Sequence, residues 1–436
     1  MKNERKHIAV IGLGFVGLPL SLSYAMKGFK TYGIDTSDGL INELCCKNTQ
    51  HLESYKGKPI KQILNECIGA ELFIPCLEAK DAFMNCDKYI ITVGIPACGS
   101  QLDLSCLKAA CRTLSKGLKR EDVVIIRSTV VPGTTENVLI PILEESGLKA
   151  GKDFYFCYCP ERISEGNAFN EFESLQVVIS GVNAQSIKKG TKVIKKISSF
   201  EPYVVSSIKL AEICKVVENV QRDVSIALVQ QLSGFCRRLG IDVFELVAAT
   251  NTHPRTNLLK PGPGVGGYCI PNAFHYLKPK ADETGADLSL MELSRSINDA
   301  VPDRIAREIE EKLSQKKQDN SNIKIAVLGI AMKDYCSDCR QSPPVQIIQS
   351  LIKRGFEVCA YDPCVRKCFD FQKDSLEQCL KNADALLISA LQNGINHNDF
   401  KSFSSLMKEN AIVFDTRNIV DRSKASSYGF NLVELI

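Results

Sequence analysis

The first 35 residues constrain the fold more than any other stretch of the chain. His7–Ile11 is an apolar run of strand length, Gly12-Leu13-Gly14-Phe15-Val16-Gly17 is a glycine turn, Leu18–Lys27 can form a helix, and Lys30–Asp35 returns as a second strand. A G-x-G-x-x-G turn alone is a weak signal. Between a strand and a helix, with an acidic residue closing the next strand, it describes a dinucleotide-binding βαβ unit. Glycines let the backbone approach a pyrophosphate, and the helix N-terminus offers partial positive charge. Asp35 stands where a carboxylate accepts from both ribose hydroxyls and repels a 2′-phosphate, so NAD is expected over NADP. Gly12, Gly14, Phe15, Val16, Gly17 and Asp35 are the expected cofactor contacts. The alternative is a tight packing turn without a ligand.

Further strand-sized runs follow at Tyr89–Val93, Val123–Arg127, Phe154–Tyr158 and Gln176–Ser180, separated by helical stretches, which predicts a doubly wound parallel sheet. From Ser207 to Leu239 there is no proline, helix formers dominate, and Gly240 is a natural C-cap residue. A helix of that length spans roughly 50 Å and bridges domains or forms a subunit interface; a break near Gly234 is the alternative. A loop rich in Gly and Pro runs from Asn251 to Gly267, helices continue to about Lys317, and the polar Lys316–Asn322 reads as a linker. A second α/β cycle has strands at Ile323–Gly329, Glu357–Tyr361, Ala385–Ser389 and Ala411–Asp415. The expectation is two Rossmann-like, doubly wound parallel-sheet domains, 1–200 and 318–436, around a central helical region, 201–317.

Composition narrows the function. A net charge of +4, with no basic block interleaved with aromatics, argues against nucleic acid. No apolar run is long enough for a membrane span, and the charged Met1–His7 leads straight into a strand, so a cytoplasmic protein is expected. The 19 cysteines then read as reduced thiols. Cys336 and Cys339 form one C-x-x-C without a second pair at zinc spacing, and the five histidines complete no ligand set, so no metal is expected.

Three more segments carry chemistry. Tyr158-Cys159-Pro160-Glu161-Arg162-Ile163-Ser164-Glu165-Gly166 follows a strand at the sheet edge where ligands bind, so Glu161 is either a general base or a loop salt bridge. Lys215 and Asn219, four apart on the long helix, share a face and can donate to an oxyanion; a solvated polar face is the plainer reading. Pro261–Pro271 holds Gly262, Gly264, Gly266 and Gly267, a backbone that can wrap a ligand, and Cys269, expected as a thiolate nucleophile just before a helix.

These segments, in this order and spacing, resemble the UDP-glucose/GDP-mannose dehydrogenase family over essentially the whole chain. The match extends through Ser128-Thr129-Val130-Val131-Pro132-Gly133, Lys333…Asp338-Cys339-Arg340 and Asp415-Thr416-Arg417-Asn418. The blocks Tyr158–Ile163 and Val216–Asp223 look most like the UDP-N-acetylhexosamine 6-dehydrogenase branch. The resemblance implies a four-electron oxidation of C6 of a UDP-sugar, with two NAD per sugar, in polysaccharide biosynthesis. It implies Cys269 as nucleophile and Glu161 assisting water. Lys215 and Asn219 would hold the C6 oxygen, with Thr129 nearby and also at the cofactor. Arg162, Gly264, Gly266, Gly267, Lys333 and Arg417 would contact the substrate, and Arg340 the cofactor. A homodimer or higher oligomer through the central helix is expected.

The chain departs from the family pattern in four places. Ala273 stands where an aspartate usually follows the nucleophile, Tyr268 where the branch has histidine, Arg127 where a glutamate is common, and Gly94-Ile95-Pro96 alters a threonine-proline. Asn272, His275 or a water are the candidates to cover for the missing carboxylate. Three readings compete: a UDP-glucose 6-dehydrogenase, an enzyme that stops after one hydride and gives an aldehyde, keto or epimerised sugar, and a nucleotide-sugar-binding protein without catalysis.

Overall fold

The structure, a computed structural model, describes residues 6–95, 97–98, 101–164, 166–314 and 320–436. Pro96, Glu165 and positions 316–319 of the expected linker lie outside the described residues. The chain divides into two compact units, Met1–Glu218 with His275–Ala286, and Asn219–Phe274 with Asp287–Ile436.

The first unit is built on an eight-stranded sheet. Its strands are β1 (His7–Ile11), β2 (Lys30–Ile34), β3 (Phe73–Cys76), β4 (Lys88–Ile91), β5 (Val123–Ile126), β6 (Tyr155–Tyr158), β7 (Val178–Gly181) and β8 (Tyr203–Val204), in the spatial order β8-β7-β6-β5-β4-β1-β2-β3. Both faces are covered, which is why its central strands read as unbroken apolar runs. Ala9, Ile11, Val124 and Ile126 face one core, while Ile8, Val10, Val123 and Ile125 face the other. Pairing is parallel except between β6 and β7, where Cys157 faces Gly181 antiparallel. The sheet is therefore not wholly parallel as expected: the loop that follows β6 returns the chain along its neighbour.

The second unit holds a five-stranded parallel sheet of β9 (Lys324–Leu328), β10 (Glu357–Tyr361), β11 (Ala385–Ile388), β12 (Ile412–Asp415) and β13 (Asn431–Glu434), ordered β10-β9-β11-β12-β13. Ile325, Val327 and Leu387 face one core, and Ala326, Leu328 and Leu386 the other.

Helix α1 (Gly17–Met26) follows the glycine turn, and α2 (Ile208–Leu239) is the long helix, continuous through Gly234. It stops at Gly240, whose φ of +68° is a left-handed conformation natural to a helix C-terminus. Helices α3 (Ala273–Thr284) and α4 (Ser289–Ser314) follow. Among the described residues, no helix is long and apolar enough to cross a membrane.

Candidate functional site

The glycine turn has the shape its sequence demands. Gly12 has a φ of +93°, and a Cβ on Gly17 would sit 1.7 Å from the Gly12 carbonyl oxygen, so only glycine brings α1 this close to β1. Asp35, just past β2, accepts from Leu13 N at 2.8 Å and Ser37 N at 3.0 Å, one bond to each oxygen. Each oxygen keeps a lone pair for a ribose hydroxyl. Gly12, Gly14 and Asp35 line a cleft of about 1120 Å³ with Thr36, Thr92 and Val93. The cleft, the close turn and the pinned carboxylate fit NAD. The Phe15 ring packs against His51 at a tilt of 51°, with ring centroids 5.2 Å apart.

The second unit repeats the turn but cannot repeat the ligand. Gly329 follows β9 with a φ of +84°, and Asp362 follows β10, as Gly12 and Asp35 follow β1 and β2. Asp362 is buried, however, and already accepts from Ile330 N, Ala331 N, Cys364 N, Val365 N and Gln392 Nε2. No lone pair is left for a ribose.

Glu161 is a buried carboxylate beyond β6. Its Oε1 accepts from Arg162 N at 2.7 Å and Ile163 N at 3.1 Å, and its Oε2 lies 2.8 Å from Arg127 Nη2. That last approach is an ion pair without the alignment of a hydrogen bond. Arg127 is fully buried at the end of β5, with its guanidinium 5.7 Å from the Phe172 ring. The sequence marked Arg127 only as a departure; its partnership with Glu161 was missed, although a charge ending the run Val123–Ile126 was the available signal. Arg162 is pinned by Gln176 O at 2.6 Å and Glu218 at 2.7 Å. Thr129 is half-buried beyond β5, and the loop after it is anchored by buried Glu212, which accepts from Gly133 N and from Thr135 N at 2.9 Å. Burial raises the Glu212 carboxyl above its ordinary range.

Lys215 and Asn219 lie one turn apart on α2, and both are buried rather than on a solvated face. Asn219 Nδ2 donates to the Cys269 carbonyl oxygen at 3.4 Å. The Cys269 side chain is exposed. A turn closed by Ala273 N donating to Ile270 O separates it from α3, which begins at Ala273, so Cys269 is not at the helix N-terminus as expected. Ala273 is buried, and the neighbouring buried Asn272 has an Nδ2 without a hydrogen-bond partner among the described residues.

The glycine loop uses its freedom for close approach to its own chain. A Cβ on Gly266 would meet Pro343 at 2.6 Å, one on Gly267 would meet Met332 Sδ at 2.3 Å, and Gly264 has a φ of +134°. Gly267 N donates to Arg340 O at 3.1 Å. The Arg340 guanidinium lies 5.0 Å from the Tyr268 ring and pairs with Asp338 at 2.6 Å, beside the cysteine loop. Arg417 pairs with Asp334, which the sequence reading missed, and a Cβ on Gly262 would come within 2.9 Å of Arg417 Nη1. Lys333 is exposed next to Asp334. Gly262, Lys333 and Arg417 thus belong to one unit with Cys269 and Asn219, while the glycine turn, Asp35, Thr129, Glu161, Arg162 and Lys215 belong to the other.

Comparison with known proteins agrees with this anatomy. Residues 6–198 match the NAD-binding domain of the UDP-glucose/GDP-mannose dehydrogenase family, 209–300 its central domain and 326–422 its UDP-binding domain. A UDP-N-acetyl-D-mannosamine dehydrogenase of Methanococcus aeolicus is 31% identical over 99% of this chain and 95% of that protein. A UDP-N-acetyl-D-glucosamine 6-dehydrogenase of Pseudomonas aeruginosa is 28% identical over 96% and 98%. The solved structure of a UDP-D-ManNAc dehydrogenase from Pyrococcus horikoshii superposes with a TM-score of 0.89 at 31% identity, over 98% of this chain and 99% of that one. The chain belongs to the UDP-glucose/GDP-mannose dehydrogenase family and is an NAD-dependent nucleotide-sugar oxidoreductase.

Proposed function

We propose that the protein oxidises C6 of a UDP-N-acetylhexosamine to the uronate through a covalent intermediate on Cys269. The observation that carries this reading is the exposed Cys269 thiol on a loop whose carbonyl is tied to Asn219 of the long helix. Similarity over nearly the full chain to UDP-N-acetylmannosamine dehydrogenases favours that sugar over its glucosamine epimer.

The glycine turn and Asp35 would hold NAD, which would supply the hydride acceptor for the two oxidations at C6. Lys215 and Asn219 donate to the C6 oxygen and hold the charge that develops there. Cys269 Sγ adds to the C6 aldehyde, giving a thiohemiacetal. Loss of the second hydride and the hydroxyl proton leaves a thioester, and Glu161 takes a proton from the water that hydrolyses it, which frees the thiol and the carboxylate. Thr129 and Arg162 contact this end of the substrate. Lys333 and Arg417, with the backbone of Gly264, Gly266 and Gly267, hold the diphosphate, and Arg340 serves the cofactor. These roles divide among 1–200 for NAD, 201–317 for the nucleophile and subunit contact, and 318–436 for the UDP-sugar.

The protein works in the cytoplasm as a homodimer through the central helix. Leu228, Phe235 and Leu239 fall on one face of that helix and are 48%, 61% and 57% exposed, an apolar stripe suited to a second copy. Sedimentation of Phe235→Glu as a monomer is the expected check, and an unchanged dimer speaks against this interface.

NADH release at 340 nm across UDP-ManNAc, UDP-GlcNAc and UDP-glucose tests the chemistry. Two NADH per sugar are expected with an N-acetylhexosamine. One per sugar points to an oxidation that stops at the aldehyde, and none points to a binding protein.

A further inference from the structure

We propose that Arg127 is a positioning residue for Glu161, holding its carboxylate as a fixed anion. The inference rests on the proposed hydrolysis of a Cys269 thioester, and its premises are local to one unit. Arg127 keeps its proton at any pH the protein meets. Its side chain is only 1% exposed, so the positive charge is removed from water and requires a counter-anion. Glu161 Oε2, 2.8 Å from Nη2, supplies it. That oxygen is shielded from solvent and has no other hydrogen-bond partner among the described residues. On the far side of the carboxylate, Oε1 is held by the amides of Arg162 and Ile163 at 2.7 and 3.1 Å. The two residues are also joined through the backbone, where Glu161 N donates to Arg127 O at 3.3 Å.

The carboxylate is therefore clamped at both ends. The ion pair and the two amide bonds together fix where the carboxylate stands and keep it an anion, the form that accepts a proton. The two readings of Glu161, loop salt bridge and general base, become one arrangement in which the ion pair prepares the base. A mere staple would loosen the whole unit when broken and disturb nucleotide binding along with every chemical step. A positioning residue slows hydrolysis and leaves the preceding steps and nucleotide binding in place.

Rapid-quench single turnovers with NAD and UDP-N-acetylmannosamine, followed by intact mass, separate the two. In Arg127→Gln the acyl-enzyme on Cys269 is expected to form at the wild-type rate and to decay at least about tenfold more slowly, as for loss of a general base. Arg127→Lys, which keeps the cation, is expected to recover most of that decay rate. Arg127→Gln/Glu161→Gln removes both charges, so it carries the test even if Arg127→Gln does not fold. Its acyl-enzyme lifetime is expected to match that of Glu161→Gln within about twofold, because Arg127 acts only through Glu161. Decay at the wild-type rate in Arg127→Gln, or further slowing in the double variant, overturns the proposal. If the wild type makes uronate and never carries an acyl group on Cys269, the thioester reading itself fails, and this proposal fails with it.

Discussion

Asn219 donates from its amide nitrogen to the carbonyl oxygen of Cys269 at 3.4 Å, joining residues fifty positions apart in sequence. The bond uses one of the two amide hydrogens, which leaves the other for a substrate oxygen. One side chain thus holds the loop that carries the proposed nucleophile and keeps a hydrogen to donate.

Lys215, one turn earlier on the same helix, is the other donor in the proposed mechanism. Removing one such donor costs about 3 kcal/mol of transition-state stabilisation, roughly a hundredfold in rate. Lys215→Ala is expected to lose kcat on that scale with little change in the KM for NAD. Asn219→Asp is expected to lose more, because it replaces a donor with an anion facing the Cys269 carbonyl. Steady-state kinetics check both, and a Lys215→Ala protein with near wild-type kcat removes Lys215 from the mechanism.

Asp35 is fixed by Leu13 N and Ser37 N before any ligand arrives. Hydrogen bonds to a charged acceptor are worth about 1.5–3 kcal/mol, so Asp35→Ala should raise the KM for NAD by about tenfold to a hundredfold. The wild type should strongly prefer NAD, since a 2′-phosphate would face this carboxylate. Comparable kcat/KM values with NAD and NADP would contradict the assignment.

His51 links acid stability to the glycine turn. Burial pushes its imidazole down from 6.5 to about 4. The folded state holds it neutral while the unfolded chain protonates it below 6.5, so stability is full above that value and falls as the pH drops towards 4. The loss is at most about 1.4 kcal/mol per pH unit across that window. The folded imidazole stays neutral until about pH 4, so NAD affinity, tied to this residue by the Phe15 contact, should weaken only as the pH falls through that value. Denaturant unfolding at pH 7.5 and pH 5 should show a smaller difference in His51→Gln than in the wild type; equal differences would exclude His51 as the source.

How far the sequence could be read depended on whether a feature was local. Strands such as Val123–Ile126 were legible because a sheet covered on both faces leaves continuous apolar runs. Direction was not legible, since the period of two is the same either way, and the antiparallel β7 emerged only with the loop before it. Phe73–Cys76 is absent from the expected strands; it lies on the sheet edge, where Pro75 is tolerated. The glycine turn and Asp35 form a local motif, so their geometry was foreseen. The clamps of the site are tertiary. Neither Arg127 against Glu161 nor Asp334 against Arg417 has a spacing to betray it, and Asp362 resembles Asp35 until its five donors are counted.

The central claim is that Cys269 holds C6 between the two oxidations, and peptide mass spectrometry of protein quenched during turnover tests it most directly. With UDP-N-acetylmannosamine and NAD, an acyl adduct is expected on Cys269 and on no other of the 19 cysteines. Cys269→Ser should bind both ligands and make no uronate at an appreciable rate, because a serine hydroxyl is scarcely ionised without a dedicated base. An unmodified Cys269 during active turnover, or uronate formed at the normal rate by Cys269→Ser, would contradict the account.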